Sequence, residues 1–161
     1  VKGTAGKFAV LLFRGQDLLS RAIRWQTRSV YSHAALLRPD GSVIEAWPGE
    51  GVRERLIEDW TGIDAFTIAG CTPQQWNAAN IFARDHLGAH YDWLGVLRFV
   101  SRRDDADQKL SWFCSELVFA SLQHAGITLL ERIEPWAVSP GLLANSPLLT
   151  RIGSEARARL C

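Results

Sequence analysis

Two short apolar runs, Tyr31 to Leu37 and Ser42 to Trp47, flank the turn Arg38-Pro39-Asp40-Gly41-Ser42, and this pairing constrains the fold more than any other stretch of the chain. Proline at the first corner fixes φ, and glycine suits a left-handed position at the last. Together they select a three-residue loop with a glycine bulge over a two-residue loop. That loop sets Arg38 opposite Ser42, Ala35 opposite Glu45 and His33 opposite Trp47. His33 and Glu45 then become diagonal neighbours on one face, roughly 7 to 8 Å apart along the backbone, a gap that an imidazole and a carboxylate can bridge. A slip of one residue would put them on opposite faces.

A second constraint lies in Ser111-Trp112-Phe113-Cys114-Ser115-Glu116-Leu117-Val118-Phe119-Ala120-Ser121-Leu122. Leu117, Val118, Phe119, Ala120, Leu122 and Ala125 recur at helical spacing, Gly126 stops the run, and Ser111 and Ser115 are candidate caps. Cys114 is thereby placed in the first turn. Unpaired backbone N–H groups and the positive end of the helix dipole favour a thiolate there, and the same N–H groups can hold a developing oxyanion.

Elsewhere the patterning alternates strands with helices. Phe8 to Phe13 reads as a strand, and Gln16 to Gln26 as an amphipathic helix with Leu18, Leu19, Ala22, Ile23 and Trp25 on its apolar side and Arg21, Arg24 and Arg28 outside. After the turn Pro48-Gly49-Glu50-Gly51 come strands Val52 to Arg55 and Ile63 to Ala69, separated by a short helical piece around Leu56 to Trp60. Thr72-Pro73 opens a helix to Leu87 with Trp76, Ala79, Ile81, Phe82 and Ala83 on its apolar face, ended by Gly88. Tyr91 to Val100 reads as a short helix and Ser101 to Lys109 as a solvated loop. Beyond the cysteine helix, Pro135, Pro140 and Pro147 divide the chain into short pieces, and Ser154 to Leu160 is a polar tail. The expected architecture is α+β, an antiparallel sheet packed against helices in one domain spanning 1–161.

Composition narrows the function. A net charge of +1, without a basic run, lacks the footprint of a nucleic-acid binder. No apolar run reaches the ~20 residues that span a bilayer, and the N-terminal run is too short for a signal peptide, so a soluble chain is expected. Cys71, Cys114 and Cys161 are odd in number and far apart, which fits free thiols better than a disulfide framework or a zinc knuckle. His86 and His90 are four apart, but Gly88 lies between them and the glutamate of a zincin helix is missing. Neither a metal nor another cofactor is expected. Glu116, like Asp85 and Asp92, has an ordinary explanation, in its case a helix N-terminus.

What remains is a thiol in need of a base. Cys114 as nucleophile, His33 as base and then acid, and Glu45 as the group that orients His33 form a Cys-His-Glu set suited to acyl transfer. Each residue taken alone has a structural reading: an inert buried thiol, a strand histidine bonded to a carbonyl, an exposed strand carboxylate. One mechanism accounts for all three.

The blocks Tyr31-Ser32-His33-Ala34-Ala35-Leu36-Leu37, Glu45, Gly51-Val52, Tyr91-Asp92 and Phe113-Cys114-Ser115-Glu116-Leu117-Val118 resemble the circularly permuted branch of the papain-like NlpC cell-wall hydrolases, the YiiX/YaeF type, over most of residues 8 to 126. In that branch the histidine strand precedes the cysteine helix, as here. The resemblance implies a permuted papain-like fold and a peptidoglycan stem-peptide endopeptidase or amidase, with Cys114, His33 and Glu45 catalytic. It also implies an oxyanion or substrate role for Tyr91, and we add Tyr31 and Ser115 as neighbouring candidates. The implied partner is a cell-wall peptide. If the protein is an exported antibacterial effector, delivered to a bacterial periplasm without a visible signal, an inhibitor or immunity protein is a further partner. The alternatives are a lipid or acyl-ester thiol hydrolase or acyltransferase on the same fold, and a non-catalytic binding module.

Overall fold

The computed structural model describes residues 8–92 and 111–153. Its centre is a six-stranded sheet. In chain order the elements are β1 (Ala9–Phe13), α1 (Leu18–Thr27), β2 (His33–Leu37), β3 (Ser42–Trp47), β4 (Gly51–Leu56), β5 (Ile63–Ile68), α2 (Pro73–Asp85), β6 (His90–Tyr91), β7 (Ser111–Trp112), α3 (Cys114–His124), a 3-10 turn Pro135–Ala137, α4 (Pro140–Leu143) and β8 (Leu149–Arg151). The sheet runs β4-β3-β2-β1-β5-β8, every neighbouring pair antiparallel, while β6 and β7 form a separate parallel pair. The mixed α+β class and the antiparallel sheet agree with expectation.

The hairpin register is the one the turn residues select. Leu36 pairs with Ile44 and Leu37 with Val43. Arg38 N–H donates to the Ser42 carbonyl at 2.7 Å, and Gly41 sits at φ +87°. The Asp40 carboxylate accepts from the Ser42 N–H at 3.0 Å and closes the loop.

Both faces of the sheet are covered, which explains why β1 and β2 are apolar runs without polar alternation. On one face α2 and α3 bring Trp76, Ala79, Leu117, Val118 and Leu122 against Val10, Leu12, Ala34, Leu36 and Ile44. On the other, Ala9, Leu11, Ala35, Leu37, Val43, Ile63 and Ala65 form a second cluster, with Ile57, Trp60 and Ile152 packed beside it.

Several expectations need correction. No helix forms around Leu56 to Trp60: β4 continues through Leu56 and an irregular segment comes next, with Asp59 accepting from the Thr61 N–H at 2.8 Å. Tyr91 opens no helix but ends β6 beside β7, and Asp92 after it is not helical; residues 93–100 of that expected helix, the loop Ser101 to Lys109 and the tail Ser154 to Leu160 lie outside the described residues. In α1 only Ile23 is buried, and Leu18 and Trp25 face outward. In α2 the capping box of Thr72 and Gln75 forms, but Ile81 is exposed and Asn80 takes a buried place, donating to the Trp76 carbonyl at 2.9 Å. Neither Ser111 nor Ser115 caps α3. The N-cap is Phe113, whose N–H donates to the Glu116 carboxylate at 3.3 Å.

Gly51 anchors β4, the strand that carries Arg53 and Arg55. It sits at φ +77°, and a Cβ there would stand 2.1 Å from the Ala89 carbonyl oxygen, which also accepts the Val52 N–H at 2.8 Å. Gly51→Ala is expected to destabilise the fold by about 2 to 4 kcal/mol, combining left-handed strain with backbone displacement. A denaturant midpoint unchanged within error would refute this role for Gly51 at the β4–β6 junction.

Candidate active site

His33 is the first residue of β2, so its imidazole sits at the end of the sheet, where the N-terminus of α3 arrives. Glu45 lies on β3 at the position the hairpin register assigns. His33 Nε2 and Glu45 Oε2 are 2.8 Å apart, with His33 largely buried and Glu45 wholly so. The ring of His33 meets Phe13 and Trp47 edge-on, each at 5.0 Å between centroids, which fixes its plane and shields the contact with Glu45 from water.

A buried carboxylate needs compensation, and the neighbouring strand supplies it. Arg53 faces Glu45 across the β3–β4 ladder, and Arg55, two residues on, shares that face. Arg53 Nε and Nη2 donate to Glu45 Oε1 at 3.0 and 2.8 Å. Arg55 Nε reaches the same oxygen at 2.6 Å, and its Nη2 reaches Oε2 at 3.4 Å. Arg53 also lies over the Trp47 ring at 4.5 Å, so the indole contacts the Arg53 cation as well as the edge-on imidazole of His33. Burial raises the Glu45 pKa, but the hydrogen bond and charge of His33 and then those of Arg55 outweigh it, leaving the carboxyl at about 2.

Cys114 is 1% exposed, at the first position of α3. Burial alone would lower the His33 pKa. The charge on the Cys114 sulfur, its hydrogen bond to the ring and then the bond to Glu45 push it instead up to about 9. The imidazole is therefore held between sulfur and carboxylate and favours its protonated form. The first intrahelical bond of α3 runs from Leu117 N–H to the Phe113 carbonyl at 3.0 Å, so the N–H groups of Cys114 and Ser115 precede the ladder and are candidate oxyanion donors.

The other candidates divide. Tyr91 is buried near the sulfur: burial, then the negative charges of Cys114 and Asp92, raise its hydroxyl pKa above the usual value. Tyr31 turns its hydroxyl to Asp64 at 2.9 Å, where Arg14 and Arg151 also donate, at 3.0 and 2.5 Å. Ser115 donates from Oγ to the Val138 carbonyl at 2.6 Å. The hydroxyls of Tyr31 and Ser115 are thus engaged in the fold, and what Ser115 leaves as a candidate is its backbone N–H. His86 is the C-cap of α2, with Nδ1 2.7 Å from the Phe82 carbonyl oxygen, and His90 lies on β6, so the two share no helix face. Cys71 is half-buried, and burial pushes its thiol pKa up.

Sequence reasoning missed Arg53 and Arg55. The signal was present: the turn from Pro48 to Gly51 sets the β3–β4 register, and the two arginines fall on alternate positions of a strand already recognised.

A cleft of about 230 Å³ opens beside His33, lined by Phe13, Leu19, Ile23, Trp47, Pro48 and Tyr91 among others. Of His33, Glu45 and Cys114, His33 borders it.

The two charge shifts have opposite consequences for stability. His33, raised from its ordinary 6.5 to about 9, contributes stability that is complete below 6.5 and lost as pH rises through about 9. Glu45, lowered from 4.5 to about 2, contributes stability present above 4.5 and lost as pH falls toward about 2. Thermal unfolding across this range is therefore expected to show both contributions in full between 4.5 and 6.5. A Glu45→Gln variant should lose most of the acid limb, and an unchanged limb would contradict the assignment.

No protein-family model matches this chain and no similar curated protein was found. Among solved structures it is similar to metalloprotein YiiX from Escherichia coli O157:H7 (DUF1105), with a TM-score of 0.69 and 19% identity over 94% of this chain and 98% of that one. At that identity the likeness establishes a common fold. YiiX is described as a metalloprotein, and the donor set here does not suit a metal. Both Glu45 oxygens already accept from cationic groups, two guanidiniums and an imidazole, and Nε2 of His33 is turned to Glu45. Among the described residues, no group of three His, Cys, Asp or Glu is placed to hold a metal ion. Also among them, no helix is long and apolar enough to cross a membrane.

Proposed function

We propose that this chain is a cysteine hydrolase of the permuted papain-like NlpC type that cuts an amide bond, with peptidoglycan stem peptides as substrate. The observation that carries the proposal is the buried relay in which His33 joins Cys114 to Glu45, with Glu45 held ionised by His33 and Arg55 and hydrogen-bonded by Arg53 as well. A half-buried structural histidine has no need of a carboxylate so heavily compensated. The order of the parts, histidine strand before cysteine helix, also supports this reading.

In the proposed reaction Cys114 Sγ, having given its proton to His33, attacks the carbonyl carbon of the scissile amide. The oxygen of the tetrahedral intermediate is stabilised by the first-turn N–H groups of α3 and the Tyr91 hydroxyl. His33 returns the proton to the leaving nitrogen as the C–N bond breaks, leaving a thioester on Cys114. Water then attacks the thioester carbonyl as His33 accepts its proton. The acid product departs as Sγ is released. Glu45 stays ionised throughout, holding the ring plane and stabilising its cation.

One observation favours a second reading. The cleft beside His33 is walled mainly by Phe13, Leu19, Ile23, Trp47 and Pro48, which suits an acyl chain as well as a peptide, so an acyl-ester substrate is the alternative. Incubation with muropeptides and, separately, with phospholipids and acyl esters distinguishes them when Cys114→Ala is run alongside. Peptide cleavage lost in the variant supports the first reading and acyl release lost in the variant supports the second. Silence on both, in wild type, would leave a binding module and overturn the proposal.

A further inference from the structure

Helix α1 carries a face that nothing in the described fold covers. Leu18 and Trp25, two turns apart on one side, are 82% and 84% exposed, and Val30 beyond the helix is 53% exposed. Ile23, on the opposite side, is already packed in the core with Leu19 against it, so the helix is anchored without Leu18 and Trp25. Scattered surface leucines are commonplace; here an indole and a leucine are aligned on one helical stripe.

The charge around that stripe is specific. Residues 14–28 hold four arginines and a single aspartate, while the whole chain is only +1. Arg14 is committed to Asp64 and Arg24 to the Gly15 carbonyl at 3.1 Å. Arg21 lies between Leu18 and Trp25 along the stripe and Arg28 closes the helix at φ 50°, and neither forms an ion pair with a described residue. Asp17, the one acid, is occupied as the N-cap, accepting from the Ser20 N–H at 2.9 Å. An interfacial helix is built in this way: an aromatic and an aliphatic anchor, with flanking cations whose stems reach back to the headgroup phosphates.

We infer that α1 seats the protein on an anionic phospholipid surface, Leu18 and Trp25 entering the interfacial layer and Arg21 and Arg28 meeting lipid phosphates. A second copy of the chain fits less well, because a two-fold pairing of α1 would bring the same arginines together, and two anchors fall far short of the roughly 800 Å² per partner of a stable interface. Continuity with the site strengthens the inference. Leu19 and Ile23, on the other edge of α1, line the cleft beside His33, so docking would hold that cleft close to the bilayer. The inference stands whether the scissile bond is an amide or an ester.

Flotation with vesicles of phosphatidylcholine containing about a third phosphatidylglycerol, compared with phosphatidylcholine alone, tests it. Binding is expected to the anionic vesicles only and to weaken with salt. Arg21→Gln with Arg28→Gln should reduce partitioning by roughly an order of magnitude, and Leu18→Ser with Trp25→Ser should abolish it. Because these side chains are exposed, both double variants should keep the wild-type unfolding temperature, which is measured alongside. Absence of binding, equal binding to neutral vesicles, or binding unaffected by the substitutions would overturn the inference. So would a wild-type dimer that the Leu18/Trp25 variant converts to a monomer.

Discussion

Cys114→Ala is expected to lower turnover by about 10³-fold or more while leaving the fold intact, since the change removes one sulfur from a buried position and no hydrogen bond of the sheet. The size of the loss reflects the division of labour at the site. First-turn N–H groups and the cleft remain, so binding should persist with little change in KM, and the deficit should fall on kcat. His33→Ala should cost a similar factor. The double variant should be scarcely worse than either single one, because in the proposed mechanism proton transfer and attack form one step and neither residue acts without the other. Losses that multiply in the double variant would mean that the two side chains act separately rather than as a relay.

Glu45→Ala should do damage of a different kind. Glu45 is wholly buried and accepts from three side chains, so its removal leaves the Arg53 and Arg55 guanidiniums without their shared acceptor and His33 without its orienting contact. Breaking a buried ion pair from one side costs about 3 to 5 kcal/mol. Both guanidiniums keep some solvent contact, so about 3 kcal/mol is the better expectation, or roughly 10 °C in unfolding temperature for a chain of this size. Activity should fall by about 10² or more even where the variant stays folded, because the ring loses both its orientation and its counter-charge. Glu45→Gln separates the two effects: it preserves volume, restores part of the stability and leaves catalysis impaired. A Gln variant of full activity would show that the carboxylate serves the fold alone.

How much of the fold and the site could be read from the sequence depends on how local the determining physics is. The hairpin could be read completely because Pro39 and Gly41 dictate a loop, the loop dictates a register, and the register puts His33 and Glu45 within reach. Cys114 at a helix start was legible from the apolar period on its C-terminal side. Arg53 and Arg55 were missed because alternating charges on a strand ordinarily face water, and only the presence of a buried acid on the next strand reverses that reading. The two-residue strands β6 and β7 and the closing strand β8 depend on pairings between distant segments and leave no periodic trace. In α1 the period was right and the burial was not: amphipathic spacing names an apolar side, but tertiary context decides which residues face the core, and here Leu18 and Trp25 face solvent.

The proposed mechanism requires His33 to carry a charge that Cys114 and Glu45 jointly stabilise. It is tested most directly by titrating the His33 ring in solution by nuclear magnetic resonance, with the signal assigned by a His33→Asn variant, in wild type and in Cys114→Ala. The expected wild-type pKa is raised from 6.5 to about 9 and falls substantially once the sulfur is gone. A His33 that titrates near 6.5 in both proteins, or identically in both at any value, would contradict the claim.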